Sequence, residues 1–309
     1  MREMGNFNPV PGCSGRGEET YMNKIVAAGP NTDQIKYWNG LAGDRWVQFQ
    51  KELDSMISGL GRDAMARAKI VGGERVIDVG CGCGETTLEI ARRVGLSGAV
   101  TGVDISAPMT EHALSRAAEA GVANVRFENA DAETHAFADE GVDLLFSRFG
   151  IMFFDNPAVA FKNLGSTLKP GGRITFVCWR QPDENPWLLL PAKAASAHLD
   201  LPPRPGPEDP SPFAFADPDR VRGILTEAGF SDITLEQRDG LLLLGGPNTL
   251  DGAVRFAMNV GPASTPYDQA DAETREKVAG SVRSALEPYF TGSAVEFPSS
   301  AWMVIARKV

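Results

Sequence analysis

The 309-residue sequence has no run of about eighteen consecutive apolar residues, the length that a membrane-spanning helix requires. Its polar, glycine-rich N-terminal region also lacks the apolar core of a signal peptide. Cysteine is scarce, and the four cysteines fit a reducing compartment as free thiols. These absences predict a soluble, cytoplasmic protein without a membrane span.

An excess of positive charge is also missing, since 30 Lys and Arg face 40 Asp and Glu for a formal net charge of −10. Binding to a nucleic-acid backbone needs a concentrated basic surface, so a nucleic-acid partner is not expected. A hydrophobic share of 43% allows a substantial core, as one elaborated domain or a domain with a cap. The composition is that of an ordinary globular protein.

The most informative stretch of the sequence is ERVIDVGCGCGETTLE, residues 74–89. A β-favouring run over 76–79 is followed by three glycines, Gly80, Gly82 and Gly84, after which the pattern turns helical. Glycine permits positive φ and lets a ligand approach the backbone, and the free N–H groups of the following helix favour a polar or anionic group. We therefore expect part of a cofactor to bind at this turn.

The glycine spacing distinguishes between cofactors. A dinucleotide turn, G-x-G-x-x-G, would have its third glycine at position 85, where this chain has Glu85, whose carboxylate would face a pyrophosphate. The G-K-[ST] motif of a P-loop does not follow the turn either. A second apolar run over 99–103 ends in Asp104, where doubly wound sheets place an acid on ribose hydroxyls. Together these features predict a nucleoside site that binds neither a dinucleotide nor a nucleoside triphosphate.

A metal or redox role for the turn is not expected. Cys81 and Cys83 form a C-x-C pattern inside it, but the second pair of ligands that a zinc site needs is missing from the sequence. Small side chains that fit a crowded turn explain both cysteines better.

Five segments, in this order and spacing, resemble the class I S-adenosylmethionine-dependent methyltransferases: VIDVGCGCG, GAVTGVDIS, ENADAETHAF, VDLLFSRFGIMFF and LKPGGRITFVCW. The chain is most similar to the branch that includes the ubiquinone and menaquinone biosynthesis methyltransferases, and the resemblance covers roughly 60–180. It implies an α/β fold with a doubly wound, mostly parallel seven-stranded Rossmann-like sheet, an antiparallel edge strand and a helical cap. The implied activity is methyl transfer (EC 2.1.1.-), with S-adenosyl-L-methionine as cofactor and S-adenosyl-L-homocysteine as product.

By this resemblance the cofactor-binding residues lie at the strand ends. They are Asp78, Gly80, Cys81, Gly82, Asp104, Ile105, Met109, Asp131, Ala132, Ser147 and Arg148. In the family an Asp after the third strand accepts the exocyclic amine of adenine, which Asp131 matches. Arg148 is expected either to hold a carboxylate of cofactor or substrate, or to pair with a neighbouring Asp. No catalytic base is assigned, because His112 and His198 fit structural roles better.

Changes of pattern divide the chain into five parts. They are a flexible tail over 1–31, an aromatic helical lid over 32–70, the cofactor-binding core over 71–180, a proline-rich cap insertion over 181–216, and the rest of the sheet with further cap helices over 217–309. Within the lid we expect a helix pair followed by a separate helix over 62–70, and within the insertion a helix near 187–199.

The lid and the insertion are expected to contribute the acceptor site. Its candidate residues are Tyr37, Trp38, Trp46, Trp179, Trp187 and Phe213, for which the alternative is core packing. The predicted reaction is in-line transfer of a methyl group to an O, N, S or C atom of a small, partly apolar molecule. A protein or nucleic-acid methyltransferase and a non-catalytic S-adenosylmethionine-binding protein are the alternatives, and the acceptor atom and the oligomeric state stay open.

Overall fold

The structure is a computed structural model that describes residues 25–138 and 141–309. Its seven strands are β1 (Arg75–Val79), β2 (Ala99–Asp104), β3 (Val125–Asn129), β4 (Val142–Arg148), β5 (Leu168–Trp179), β6 (Phe230–Leu243) and β7 (Glu296–Lys308). They form one sheet in the order β3-β2-β1-β4-β5-β7-β6. Strands β1 to β5 pair in parallel, whereas β7 pairs antiparallel with both β5 and β6. The predicted sheet is confirmed, and its antiparallel strand β7 lies between β5 and the edge strand β6.

The described residues form eleven α-helices. They are α1 (Thr32–Trp38), α2 (Leu41–Gln48), α3 (Gln50–Ala68), α4 (Glu85–Val94), α5 (Ala107–Glu119), α6 (Pro157–Thr167), α7 (Pro186–Ala195), α8 (Pro218–Glu227), α9 (Leu250–Asn259), α10 (Ser264–Gln269) and α11 (Ala272–Leu286). Helices α6 and α8 each begin with a proline that follows an Asx residue, and Asn156 and Asp217 accept backbone N–H groups of the first turn.

One helix prediction is wrong, and a second is confirmed with an earlier end. The separate helix over 62–70 is the second half of the continuous helix α3, although Gly59 and Gly61 lie inside it and each glycine costs about 1 kcal/mol relative to alanine. At Gly61 the missing side chain has a packing reason, since a Cβ there would lie 3.0 Å from Arg148 Cδ. The insertion helix α7 ends at Ala195, four residues earlier than expected.

The core lies on both faces of the sheet. In β4 the successive residues Leu144, Leu145 and Phe146 are all fully buried, and successive strand residues point to opposite faces. Both faces of the central strands must therefore be covered, as in a doubly wound fold.

The insertion helix α7 packs with α9 and α11, and α10 packs with α9, so these four helices form the predicted cap. Within the described ranges no helix is both long and apolar enough to cross a bilayer.

Candidate active site

The glycine turn after β1 requires its glycines for steric reasons. Gly80, Gly82 and Gly84 all have positive φ, between 53° and 81°. A Cβ on Gly80 would lie 2.5 Å from the Cα of Gly150, which follows β4. Gly80 also donates its N–H to Val103 O at 2.8 Å, so the turn is fixed between β2 and β4. The backbones at the ends of three adjacent strands are thereby brought together.

A cavity opens beside this turn, and its lining combines apolar side chains with a few polar groups, as small-molecule sites do. Eight of the predicted cofactor residues line it. Four come from the ends of β1 and β2, namely Gly80, Gly82, Asp104 and Ile105. The other four are Met109 on α5, Asp131 and Ala132 after β3, and Arg148 at the end of β4.

Asp78, Cys81 and Ser147, the other three predicted cofactor residues, lie behind this lining. Asp78 is 0% exposed and accepts hydrogen bonds at 2.6 Å from the hydroxyls of Thr86 and Thr87 in the first turn of α4. Ser147 Oγ donates to Val79 O at 2.7 Å, and Cys81 packs in a small cluster under α5. In this structure these side chains therefore hold the turn and the start of α4 in place.

Asp131 is the acid expected to meet adenine. Its Oδ1 accepts hydrogen bonds from Asn31 Nδ2 and from the N–H of Glu133, each at 2.9 Å. Its Oδ2 is buried and has no hydrogen-bond partner among the described residues. A buried carboxylate oxygen without a donor is costly, so the site is suited to a ligand that brings one, such as an exocyclic amine.

Asp104 occupies the position expected for the ribose acid. Its Oδ2 accepts the N–H of Gly82 at 2.8 Å and its Oδ1 accepts the N–H of Ser106 at 2.9 Å. Each carboxylate oxygen can accept a second hydrogen bond, which leaves capacity for the ribose hydroxyls. Burial raises the pKa of Asp104 to about 6, and the two backbone N–H groups oppose that shift.

Arg148 pairs with two carboxylates. Its guanidinium donates to Glu85 Oε2 and, at 3.4 Å, to Asp54 Oδ1 on α3. The second oxygen of Asp54 accepts from Arg116 at 3.0 Å, and Arg116 also donates to Cys83 O at 2.6 Å. The predicted ion pair of Arg148 is therefore present. This ionic cluster connects the lid helix α3 to the glycine turn, α5 and β4.

The lid and Asn31, directly before it, also make hydrogen bonds to the loops around the cavity. Asn31 is 3% exposed and accepts the N–H of Asp155 at 2.8 Å, in addition to its bond to Asp131. Asn39 donates to Ile105 O at 2.8 Å. The prediction of a flexible tail through residue 31 is thus wrong at Asn31, because this side chain is buried between two loops. Residues 1–24 of the predicted tail lie outside the described residues.

The predicted acceptor residues divide into two groups. Trp38 and Trp46 line the cavity, and Trp38 makes edge-to-face contacts with Trp46 at 5.5 Å and Phe153 at 5.4 Å between ring centroids. The others, Tyr37, Trp179, Trp187 and Phe213, do not line it. Tyr37 is 51% exposed, Trp179 is 3% exposed, and Trp187 and Phe213 pack against the core. Tyr37 is thus exposed on the lid and the other three pack against the sheet, so a role for these four in acceptor binding stays a prediction.

The residues of the site that sequence reasoning missed include Asn31, Asp54 and Phe149. The first two lie in the N-terminal segment and reach partners 100 and 94 positions away, for which no local pattern provides a signal. Phe149 could have been found, since it directly follows Arg148 at the end of β4, where ligands of open α/β sheets bind.

The buried Asp78 should make the stability of the protein without ligand depend on pH. Burial raises the pKa of Asp78 to about 6, and its Oδ1 has no hydrogen-bond partner within the described part of the chain. Between about pH 4 and pH 6 the native state then binds more protons than the unfolded chain, so stability falls as pH rises. We expect Asp78→Asn to reduce this fall in the free energy of unfolding, measured by urea titration across that range. The same pH slope in variant and parent would contradict the assignment.

Comparison with known proteins places the chain in a family. A model described as a methyltransferase domain matches residues 76–172. The aklanonic acid methyltransferase DauC of Streptomyces sp. strain C5 is 36% identical over 117 residues, which are 38% of this chain and 53% of DauC. The chain thus spans about half the length of that relative.

A second relative is matched over a larger share of its length. The ubiquinone/menaquinone biosynthesis C-methyltransferase UbiE of Pseudomonas aeruginosa strain LESB58 is 30% identical over 208 residues, which are 63% of this chain and 74% of UbiE. Among solved structures, the [4+2]-cyclase SpnF has the same fold, with a TM-score of 0.56 at 19% identity over 93% of this chain and 99% of SpnF. With the strand order and the glycine turn, these matches show that the chain belongs to the class I S-adenosylmethionine-dependent methyltransferases, whose cofactor is S-adenosylmethionine, and that it resembles the UbiE branch.

Proposed function

We propose that this protein transfers a methyl group from S-adenosylmethionine to a small, partly apolar molecule by in-line displacement. The observation that carries this proposal is a single cavity that joins two kinds of surface. Its lining combines the acids and glycines at the ends of β1 to β3 with aromatic residues of the lid and of the segment after β4. Such a cavity suits a nucleoside cofactor and an apolar acceptor held side by side.

The residues that would hold the cofactor follow from their free hydrogen-bonding capacity. Asp131 Oδ2 would accept the adenine amine, and Asp104 would accept the ribose hydroxyls. The backbone of Gly80 and Gly82 would lie against the methionine part, since no side chain intervenes there. When bound, S-adenosylmethionine supplies an electrophilic methyl carbon and a neutral thioether leaving group.

The protein's own contribution is positioning and exclusion of water. Helix α1 covers the cavity through Trp38, whose carbonyl accepts a hydrogen bond from Ser106 Oγ at 2.7 Å. Within the described lining the ionisable side chains are Asp104, Asp131 and Arg148, and each already has hydrogen-bond or ion-pair partners. The arrangement therefore favours an acceptor atom that is nucleophilic without a strong protein base.

The two relatives guide the choice of acceptors to be tested. DauC is named for aklanonic acid, and UbiE for ubiquinone and menaquinone biosynthesis. These names support a conjugated ring compound as acceptor, so phenols and quinols come first in a screen, followed by amines and thiols. The methylated atom, O, N, S or C, would be identified from the product.

The test combines binding with turnover. We expect calorimetry to show binding of S-adenosylmethionine and S-adenosylhomocysteine and much weaker binding of NAD, since Glu85 takes the place of the third dinucleotide glycine. Mass spectrometry should then detect S-adenosylhomocysteine together with a methylated member of the panel. Tighter binding of NAD would contradict the cofactor assignment. Cofactor binding without turnover on any acceptor would favour a non-catalytic binding protein.

A further inference from the structure

Phe149 adopts a backbone conformation that is unusual for an aromatic residue. It directly follows β4 and has a φ of 60°, in the left-handed region. Within the described ranges only two other non-glycine residues, Lys69 and Asp232, have positive φ. Lys69 ends helix α3 and Asp232 lies at a register shift of β6, so both have local structural causes. Left-handed residues without such a cause often lie at functional sites.

Contacts on three sides hold Phe149 in this conformation. Its N–H donates to Val177 O of β5 at 3.0 Å. The next residue, Gly150, lies so close to Gly80 that a Cβ on Gly150 would be 2.6 Å from Gly80 Cα. The ring of Phe149 stacks on Trp179, with centroids 4.1 Å apart and planes at 11°. The neighbouring strands and the glycine turn therefore determine where this ring lies.

The result of this strain is an aromatic wall in the cavity. Phe149 lines the cavity, whereas Trp179 does not, so Trp179 covers one face of the ring from behind. Trp187 of the cap contacts Trp179 in turn, with ring centroids 5.0 Å apart. The rest of the Phe149 ring thus faces the cavity, and two tryptophans that do not line the cavity support the ring from behind.

The order of the strands indicates which ligand this wall meets. Asp131 follows β3, Asp104 ends β2, Gly80 follows β1, and Phe149 follows β4, and these strands are neighbours in that order. The nucleoside would lie over β3 and β2 and the methionine part over β1. The space over β4 is therefore on the side away from the nucleoside, where the acceptor must approach the methyl carbon in line.

We propose that Phe149 contacts the methyl acceptor and determines acceptor choice by favouring a planar ring, with Trp179 as the positioning residue behind it. This inference rests on the proposed methyltransferase function. In the transfer, an electron pair of the acceptor forms the bond to the methyl carbon, and the carbon–sulfur bond breaks with its pair remaining on sulfur. Any proton on the acceptor atom leaves to water. Phe149 exchanges no proton in this step, and its role is to hold the ring.

The test measures, in binding experiments without turnover, whether the protein prefers a flat ring over a saturated one. Protein saturated with S-adenosylhomocysteine is titrated calorimetrically with 2-naphthol and with its saturated analogue decahydro-2-naphthol. We expect the parent to bind 2-naphthol more tightly by roughly two- to tenfold, the range of aromatic pair contacts. Phe149→Leu should lose this preference while its affinity for S-adenosylhomocysteine stays within about twofold of the parent.

Further variants separate the contact from effects on folding. Phe149→Tyr should keep the preference, and Phe149→Gly, which relieves the left-handed backbone, should lose it in a folded protein. Trp179→Leu should reduce the preference and Trp179→Phe should restore it. The matched control is Phe213→Leu, because Phe213 is an aromatic residue of the insertion that does not line the cavity.

The outcomes distinguish this proposal from the proposed function. If the parent protein binds 2-naphthol and decahydro-2-naphthol equally, or binds neither, the proposed role of Phe149 is wrong. The role is also wrong if Phe149→Leu keeps the parent's preference for 2-naphthol. In either case, turnover on the acceptor panel would still support the proposed methyltransferase function. Failure of the parent to bind S-adenosylhomocysteine would instead refute the proposed function.

Discussion

Replacing Gly80 by alanine should destabilise the protein by more than about 4 kcal/mol, the range of the most severe single substitutions. Two costs add at this position. The φ of 66° costs an alanine about 1–2 kcal/mol, and its Cβ would lie 2.5 Å from Gly150 Cα, a backbone atom that has little room to move. Relief would require the ends of β1 and β4 to separate, which would also open the cavity.

The matched control for this prediction is Gly121→Ala. Gly121 follows helix α5 with a φ of 64°, and no atom lies within 4 Å of a Cβ placed there. Gly121→Ala should lower the free energy of unfolding only through the positive φ, by about 1–2 kcal/mol. Urea titrations of both variants would give the difference in free energy of unfolding. Equal losses would mean that Gly80 is required for its φ alone and that the contact with Gly150 is easily relaxed.

Asp131→Asn should weaken the binding of S-adenosylhomocysteine by roughly 10- to 150-fold. The physical reason is the loss of a charged acceptor, since a hydrogen bond to a charged group is worth about 1.5–3 kcal/mol. The unpartnered Oδ2 is the atom that would receive the adenine amine. Calorimetry on the folded variant would measure this loss without reference to any acceptor.

Two controls separate the adenine contact from other effects at this site. Asn31→Ala removes the donor to Asp131 Oδ1 but leaves Oδ2 in place, so it should weaken binding less than Asp131→Asn. Asp155→Asn changes an exposed carboxylate in the nearby loop and should bind like the parent. If Asp131→Asn binds as tightly as Asp155→Asn, the adenine lies elsewhere in the cavity.

The features predicted well are those with local causes. The strands and the glycine turn depend on residues within a few positions of one another, so their patterns are visible in the sequence. The break predicted in the lid was wrong because local glycine propensity was overridden by packing. Gly61 lies against Arg148, where a larger side chain would be crowded, so this glycine marks a close packing contact inside α3 and not a helix end.

The amino-acid sequence by itself determined the α/β class, the glycine turn after β1 and the strand ends at which Asp104 and Asp131 lie. Only the tertiary structure decided which aromatic residues face the cavity. An apolar side chain follows the same pattern whether it packs in the core or lines a site, so Trp46 and Trp179 were both candidates in the sequence. The packing of the lid and cap on the sheet separates them: Trp46 lines the cavity, and Trp179 is buried behind Phe149.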